Sequence, residues 1–126
     1  MAMGRGSCTK VTLIVMLVII WSPIESYAAS HVVGDNQGWG FSVSYSDWAK
    51  GKSFASGDTL VFNYQSGLHN VVPVTAAGYK NCKASGAAEA ATSGNDNLTL
   101  KKGANYFICS IPGHCSAGMK LQVVAE

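Results

Sequence analysis

Beyond its first stretch, the chain is a succession of short runs in which apolar and polar residues alternate, with Gly, Asn and Asp between them: HVVGDNQGW, FSVSY, TLVFNYQSG, LHNVVPVT, NLTLKKG, ANYFIC and MKLQVVAE. In TLVFNY, Leu60, Phe62 and Tyr64 alternate with Val61 and Asn63, and in MKLQVVA the residues Met119, Leu121, Val123 and Ala125 share one face. A period of two is that of a strand with one face buried. Many such strands, short and separated by turn residues, predict an all-β sandwich. Two stretches break the alternation. SYSDWAKG and TAAGYKNCKASGAAEA carry alanine and lysine, and the second lacks β-branched residues after Thr75, so both predict short helical turns at the sandwich edge.

The N-terminus follows a different pattern. Arg5 and Lys10 flank the entry to VTLIVMLVIIW, a largely apolar run of eleven residues from Val11 to Trp21. A membrane span needs about 20 apolar residues, and Pro23 and Glu25 interrupt this run before it reaches that length. In the following SPIESYAAS, Ser26 and Ala28 occupy the small-residue positions of a cleavage site. Residues 1–28 are therefore expected to be a secretory signal, removed near Ala28 to leave a domain over 29–126. The last strand runs into Glu126 without the polar spacer and apolar tail of a glycolipid anchor signal, so a secreted product with no membrane anchor is expected.

Charge and cysteines narrow the function. The whole chain carries +2, but beyond residue 28 seven lysines face six acids and no arginine remains. Nucleic-acid binding calls for a clustered basic stripe with arginines for phosphate, so that class is set aside, as is a charge-driven membrane surface. Roughly 98 residues suffice for one modest core, which a covalent or metal staple would reinforce. Of four cysteines, Cys8 leaves with the leader, so Cys82, Cys109 and Cys115 remain, an odd number for an oxidising compartment.

The densest chemistry lies in CSIPGHCSAGM. Cys109 ends one apolar run and Met119 begins the next, so the nine residues between them form a single loop turned by Pro112-Gly113 and Gly118. Two intervals of five can aim Cys109, His114 and Met119 at one point, while Cys115, adjacent to His114, points elsewhere and is left to pair with Cys82. Such a bridge would stabilise the fold by about 2–4 kcal/mol. A zinc site would have to discard Met119, a poor ligand for that ion. A thiolate, two imidazoles and a long thioether describe a blue copper site instead. His69, at a turn opening the run in SGLHNVVPV, supplies the second imidazole, and His31 is read as a solvated strand residue. Each residue alone has a plainer role: Met119 in the core, His69 on a surface turn, His114 bonded within its loop, Cys109 an inert buried thiol. Copper accounts for all four and for the odd cysteine together. A cysteine nucleophile, with His114 as base and Asn70 to orient it, would leave Met119 without a role in a sandwich with little substrate cleft, so no enzymatic activity is expected. Asn97-Leu98-Thr99 is an N-glycosylation acceptor if exposed.

Four segments, VVGDNQGW, FNYQSGLHNV, GYKNC and YFICSIPGHCSAGMKLQV, resemble the phytocyanins, plant blue copper proteins, and within them the plantacyanin or basic blue group. The resemblance implies a cupredoxin-like Greek-key β-sandwich with short helical segments. It also implies one type 1 copper on His69, Cys109, His114 and Met119, and a Cys82–Cys115 disulfide. Stellacyanin-like members carry glutamine at the axial position and early-nodulin-like members have lost ligands, whereas this chain keeps all four. Uclacyanin-like members append a Pro/Ser-rich segment that is missing here. The implied function is a monomeric one-electron carrier cycling Cu(II)/Cu(I) in the extracellular space, apoplast or cell wall, with a protein or small molecule of the wall as redox partner. The alternative is an extracellular signalling or interaction protein in which copper is mainly structural. Asn70, beside His69, is expected to act on the Cys109 sulfur through its backbone N–H.

Overall fold

In the computed structural model of the chain, residues 4, 14, 17–23, 27–85 and 89–126 are described. The expected leader over 1–28 lies mostly outside them. No helix among the described residues is long and apolar enough to cross a membrane.

The alternating runs fold into strands β1 (Ser30–Val32), β2 (Thr59–Asn63), β3 (Val72–Val74), β4 (Asn95–Thr99), β5 (Gly103–Ile108) and β6 (Lys120–Ala125). They build two three-stranded sheets, ordered β1-β2-β4 and β3-β5-β6. β1 runs parallel to β2, with Ser30 opposite Thr59, and every other named pair is antiparallel. The chain changes sheet between β2 and β3, again before β4 and again before β5, which is how His69 and Cys109 come to the same end of the sandwich. The architecture is a β-sandwich of two three-stranded sheets with short helices at its edge.

The inward faces are those the alternation marked. Leu60 and Phe62 of β2 are fully buried, and Met119, Leu121, Val123 and Ala125 are at most 3% exposed. Trp39 crosses Phe62 edge to face at 5.0 Å, and Phe62 lies 5.5 Å from Phe107 across the sheets. A second, smaller core on the outer face of β3 and β5 collects Val72, Ile108 and Cys115, with Val74, Tyr79 and Cys82 against them. β4 has the weakest strand composition, NDNLT, and is held by its buried acid. Asp96 accepts from Ser93 N–H at 3.3 Å and from the Tyr64 hydroxyl. That anchoring starts the strand two residues before the NLTLKKG run.

Both predicted helical turns form, as α1 (Tyr45–Ala49) and α2 (Ala76–Asn81). Thr75 caps α2, its hydroxyl accepting from Gly78 N–H at 3.1 Å. Cys82 ends the helix in the left-handed conformation with φ 53°, a position glycine usually fills. Two expectations are corrected. FSVSY is not a strand, because Tyr45 turns inward to start α1 and its hydroxyl donates to Gly38 C=O at 2.8 Å while accepting from Gly40 N–H at 2.7 Å. Phe41 is left on the surface at 56% exposure. Nor is His31 simply solvated: its ring lies 4.7 Å from Phe54 and its Nε2 is 2.9 Å from the buried Asp58 carboxylate.

The segment from Phe54 to Thr59 is bonded to both Ala29 and Glu126. Ala29 N–H donates to Asp58 Oδ1 and Thr59 N–H donates to Ala29 C=O, each at 2.9 Å. At the other end, Ser56 N–H donates to Glu126 C=O at 2.8 Å and Glu126 N–H to Phe54 C=O at 3.0 Å.

Candidate metal centre

Three of the four candidate ligands are placed by the β5–β6 connection. Cys109 directly follows β5 and Met119 directly precedes β6, and Cys109 N–H donates to Met119 C=O at 3.0 Å, extending the ladder by one rung. The loop between them is wound in tight turns. His114 N–H donates to Ile111 C=O at 3.0 Å, Gly118 N–H to Cys115 C=O at 2.9 Å, and Met119 N–H to His114 C=O at 3.1 Å. Gly113 and Gly118, at φ 83° and 111°, supply backbone conformations that a β-carbon would disfavour. His114 is thereby returned to a point beside Cys109 and Met119. Cys109 and Met119 are both fully buried.

His69 arrives from the other direction, at the end of the turn that leaves β2 and three residues before β3. Its Nδ1 lies 3.1 Å from His114 Nδ1, and that same His114 nitrogen lies 3.4 Å from Cys109 Sγ. The three ligand atoms all fall within 4.8 Å of one another, and no carboxylate among the described residues joins them. Among the described residues Cys109 is a free thiol, and Cys82 and Cys115 form a disulfide with Cα atoms 5.6 Å apart. His31, paired with Asp58, is not part of the cluster.

The donor set tests which metal fits. One sulfur and two ring nitrogens converge from two loops, and the thioether residue between the loop and β6 is fully buried beside them. Zinc would favour more thiolates or carboxylates and would leave Met119 unused. The set fits copper, whose two oxidation states favour soft sulfur and imidazole respectively. His69, Cys109, His114 and Met119 form a type 1 copper site. Electrostatics favours metal-ready imidazole: burial holds the His69 ring below the ordinary histidine range, and His114 beside it lowers it further.

Features around the ligands were not visible in the sequence. Phe41, from the run expected to be a strand, stands edge to face against both histidines, 5.4 Å from the His69 ring and 4.7 Å from the His114 ring. The backbone carbonyl of Asn70 accepts from Trp39 Nε1 at 2.9 Å. Its side chain reaches across to the other ligand loop, donating to Ser110 Oγ and accepting from Ser110 N–H, both at 2.8 Å. Asn97 and Thr99 of the glycosylation acceptor are both exposed on β4.

Residues 39–119 match the plastocyanin-like domain family. Over 127 residues the chain is 43% identical to the chemocyanin of Lilium longiflorum, covering 99% of each. It is 45% identical over 130 residues to the basic blue protein of Arabidopsis thaliana, again covering 99% of each. Cucumber basic protein, a blue copper protein of known structure, superposes with a TM-score of 0.72 at 46% identity, over 77% of this chain and 99% of that one. With its ligands gathered at one end of a matching sandwich, the chain belongs to the phytocyanin family of plant blue copper proteins, in the plantacyanin or basic blue branch.

Proposed function

We propose that the protein is a secreted one-electron carrier of the plant extracellular space. The observation that carries this reading is the donor set: one thiol and two imidazoles converge from two loops, with Met119 fully buried at the end of one of them, the donor types of an electron-transfer copper site. Copper bound there supplies a Cu(II)/Cu(I) couple. The residues hold the geometry: backbone bonds fix Cys109, His114 and Met119 to one another, Asn70 ties in the His69 loop, and the disulfide pins the far side of the His114 turn. Ligands held this way rearrange little when one electron arrives or leaves. Both imidazoles are only partly buried, so the route for the electron runs through His69 or His114 and the exposed Phe41 ring.

The secretory reading is supported by the apolar leader and by the disulfide, a bond of oxidising compartments. An N-linked glycan on the exposed Asn97 belongs with that reading. The partner is a redox donor or acceptor of the cell wall, engaged by a monomer.

Two measurements test the proposal. Cu(II) added to the leader-free protein should give an intense blue thiolate-to-copper band and a type 1 paramagnetic-resonance spectrum, and voltammetry should show a reversible one-electron wave. A colourless adduct, or an irreversible wave, refutes electron carriage. The rival role, an extracellular interaction protein with structural copper, predicts that folded His69 and Cys109 variants lacking copper keep their biological activity.

A further inference from the structure

Asp58 has no part in the copper site, yet its surroundings are built with care. It is 4% exposed, and three donors converge on its carboxylate: Ala29 N–H on Oδ1, and Ala55 N–H and His31 Nε2 on Oδ2, each at 2.9 Å. Two of these are neutral amides and the third is a titratable ring. A buried carboxylate is usually paired with a full charge. Ala29 is held at both of its backbone groups: its carbonyl accepts from Thr59 N–H and its N–H reaches Asp58, immediately before β1 begins at Ser30. The bond between Ala28 and Ala29 lies immediately before that doubly held residue. The same bond follows the small residues of the cleavage signal.

We propose that Ala28–Ala29 is the processing bond and that Asp58 is the receptor for the α-ammonium group its hydrolysis creates, so that maturation turns a neutral hydrogen bond into a buried salt bridge. The inference rests on the secretory reading of residues 1–28. In the step itself a peptidase breaks the bond between the Ala28 carbonyl carbon and the Ala29 nitrogen. Water gives its hydroxyl to Ala28, which leaves as a carboxylate, and its protons complete the Ala29 ammonium. That nitrogen is already 2.9 Å from Asp58 Oδ1, so no rearrangement is needed to form the ion pair. Charge-assisted bonds are about twice as strong as neutral ones, and here the new bond clamps the short parallel strand β1 onto β2.

The test uses copper-loaded protein released from a fusion with three N-termini: free Ala29, free Ala28, and N-acetylated Ala29, each with Asp58 and with Asp58→Asn. All strands and helices described start at Ser30 or later, so the three differ only at the clamp. With Asp58 present, the free Ala29 form should melt about 4–8 °C above the other two. With Asp58→Asn the three should melt together. Equal melting points with Asp58 present, or an advantage that survives Asp58→Asn, overturn the salt bridge. Should Asp58→Asn fail to fold, acylation of the α-amine near neutral pH decides. A salt-bridged amine titrates above its usual range of about 7.7–8.0, and each unit leaves roughly tenfold less free amine to react. The Ala29 start should therefore react about tenfold more slowly than the Ala28 start, and equal rates overturn the proposal. The N-terminus of protein secreted by plant cells reports separately: a start other than Ala29 overturns the assigned bond, and retention in the cell overturns the secretory reading while leaving the melting comparison intact.

Discussion

Asn70 and Ser110 hold each other by two hydrogen bonds of 2.8 Å running in opposite directions, and each residue immediately follows a copper ligand. Asn70 Nδ2 donates to Ser110 Oγ, and Ser110 N–H donates to Asn70 Oδ1, so the His69 loop is latched to the Cys109 loop across the rim. Replacing Asn70 with alanine removes both bonds. The expected result is a folded protein less stable by about 1–3 kcal/mol and a copper affinity reduced about 10–100-fold, as is usual when ligand-supporting bonds are lost. Chelator competition measures the affinity; a value within twofold of wild type would show that the latch does not position the ligands.

Met119 sets the fourth donor and also fills core space, being fully buried in step with Leu121 and Val123. Met119→Gln should keep a blue site but lower the reduction potential, because an amide oxygen is a harder donor and favours Cu(II). Met119→Leu should raise it by removing the donor. Voltammetry of both variants reads the sign directly, and a shift in the same direction for both would contradict axial ligation. Met119→Ala should also unfold more easily by about 2–5 kcal/mol from the cavity it leaves.

The disulfide joins residues 33 apart and lies in the smaller core behind the His114 turn. A Cys82→Ser/Cys115→Ser double variant should lose about 2–4 kcal/mol of unfolding free energy, measured by urea titration. Copper should still bind, since neither sulfur is a ligand. A colourless double variant that remains folded would show that the bridge shapes the site itself.

Asp58 predicts the acid behaviour. Its carboxyl is held down to about 2 from the ordinary 3.8, chiefly by the His31 side chain and then by the Ala55 and Ala29 amides. A depressed carboxylate stabilises the fold fully above its unfolded value, and that contribution is lost as pH falls through the folded value. Stability should therefore drop between about pH 4 and pH 2, with a shallower drop in Asp58→Asn. Urea midpoints of copper-free protein at pH 5, 3.5 and 2.5 check this; parallel curves for the two proteins would remove Asp58 from the acid transition.

Copper retention tests His69. Burial, and then the neighbouring His114, hold its ring below the usual histidine value of 6.5. The imidazole thus stays unprotonated into mild acid, so proton competition for the metal should set in below that value. Blue absorbance followed from pH 8 downward should remain level through pH 6.5. Half-loss above 6.5 would mean that His69 is not shielded as described.

The four ligands were legible because their residue types are mutually informative: a methionine beside an unpaired cysteine and a histidine five residues on has few chemical uses. Strands such as β2 and β6 were legible because each buries one face, which leaves a period of two in the sequence. What escaped was contact made by residues whose local pattern points elsewhere. FSVSY alternates like a strand, but Tyr45 gains a hydrogen bond to Gly38 and another from Gly40 by turning in, and that places Phe41 over the histidines. His31 looked like a polar strand position because its partner, Asp58, is 27 residues away. The Asn70 latch to Ser110 spans 40 residues in sequence, so no local pattern marks it.

The segment from Phe54 to Thr59 carries a last consequence. It holds Ala29 through Asp58 and Thr59, and Glu126 through Phe54 and Ser56. Terminal strands usually fray on their own, each at its own low free energy. Here, loosening Ala29 or Glu126 disturbs the loop to which the other is tied, so the two should open as one cooperative unit although 97 positions separate them in sequence.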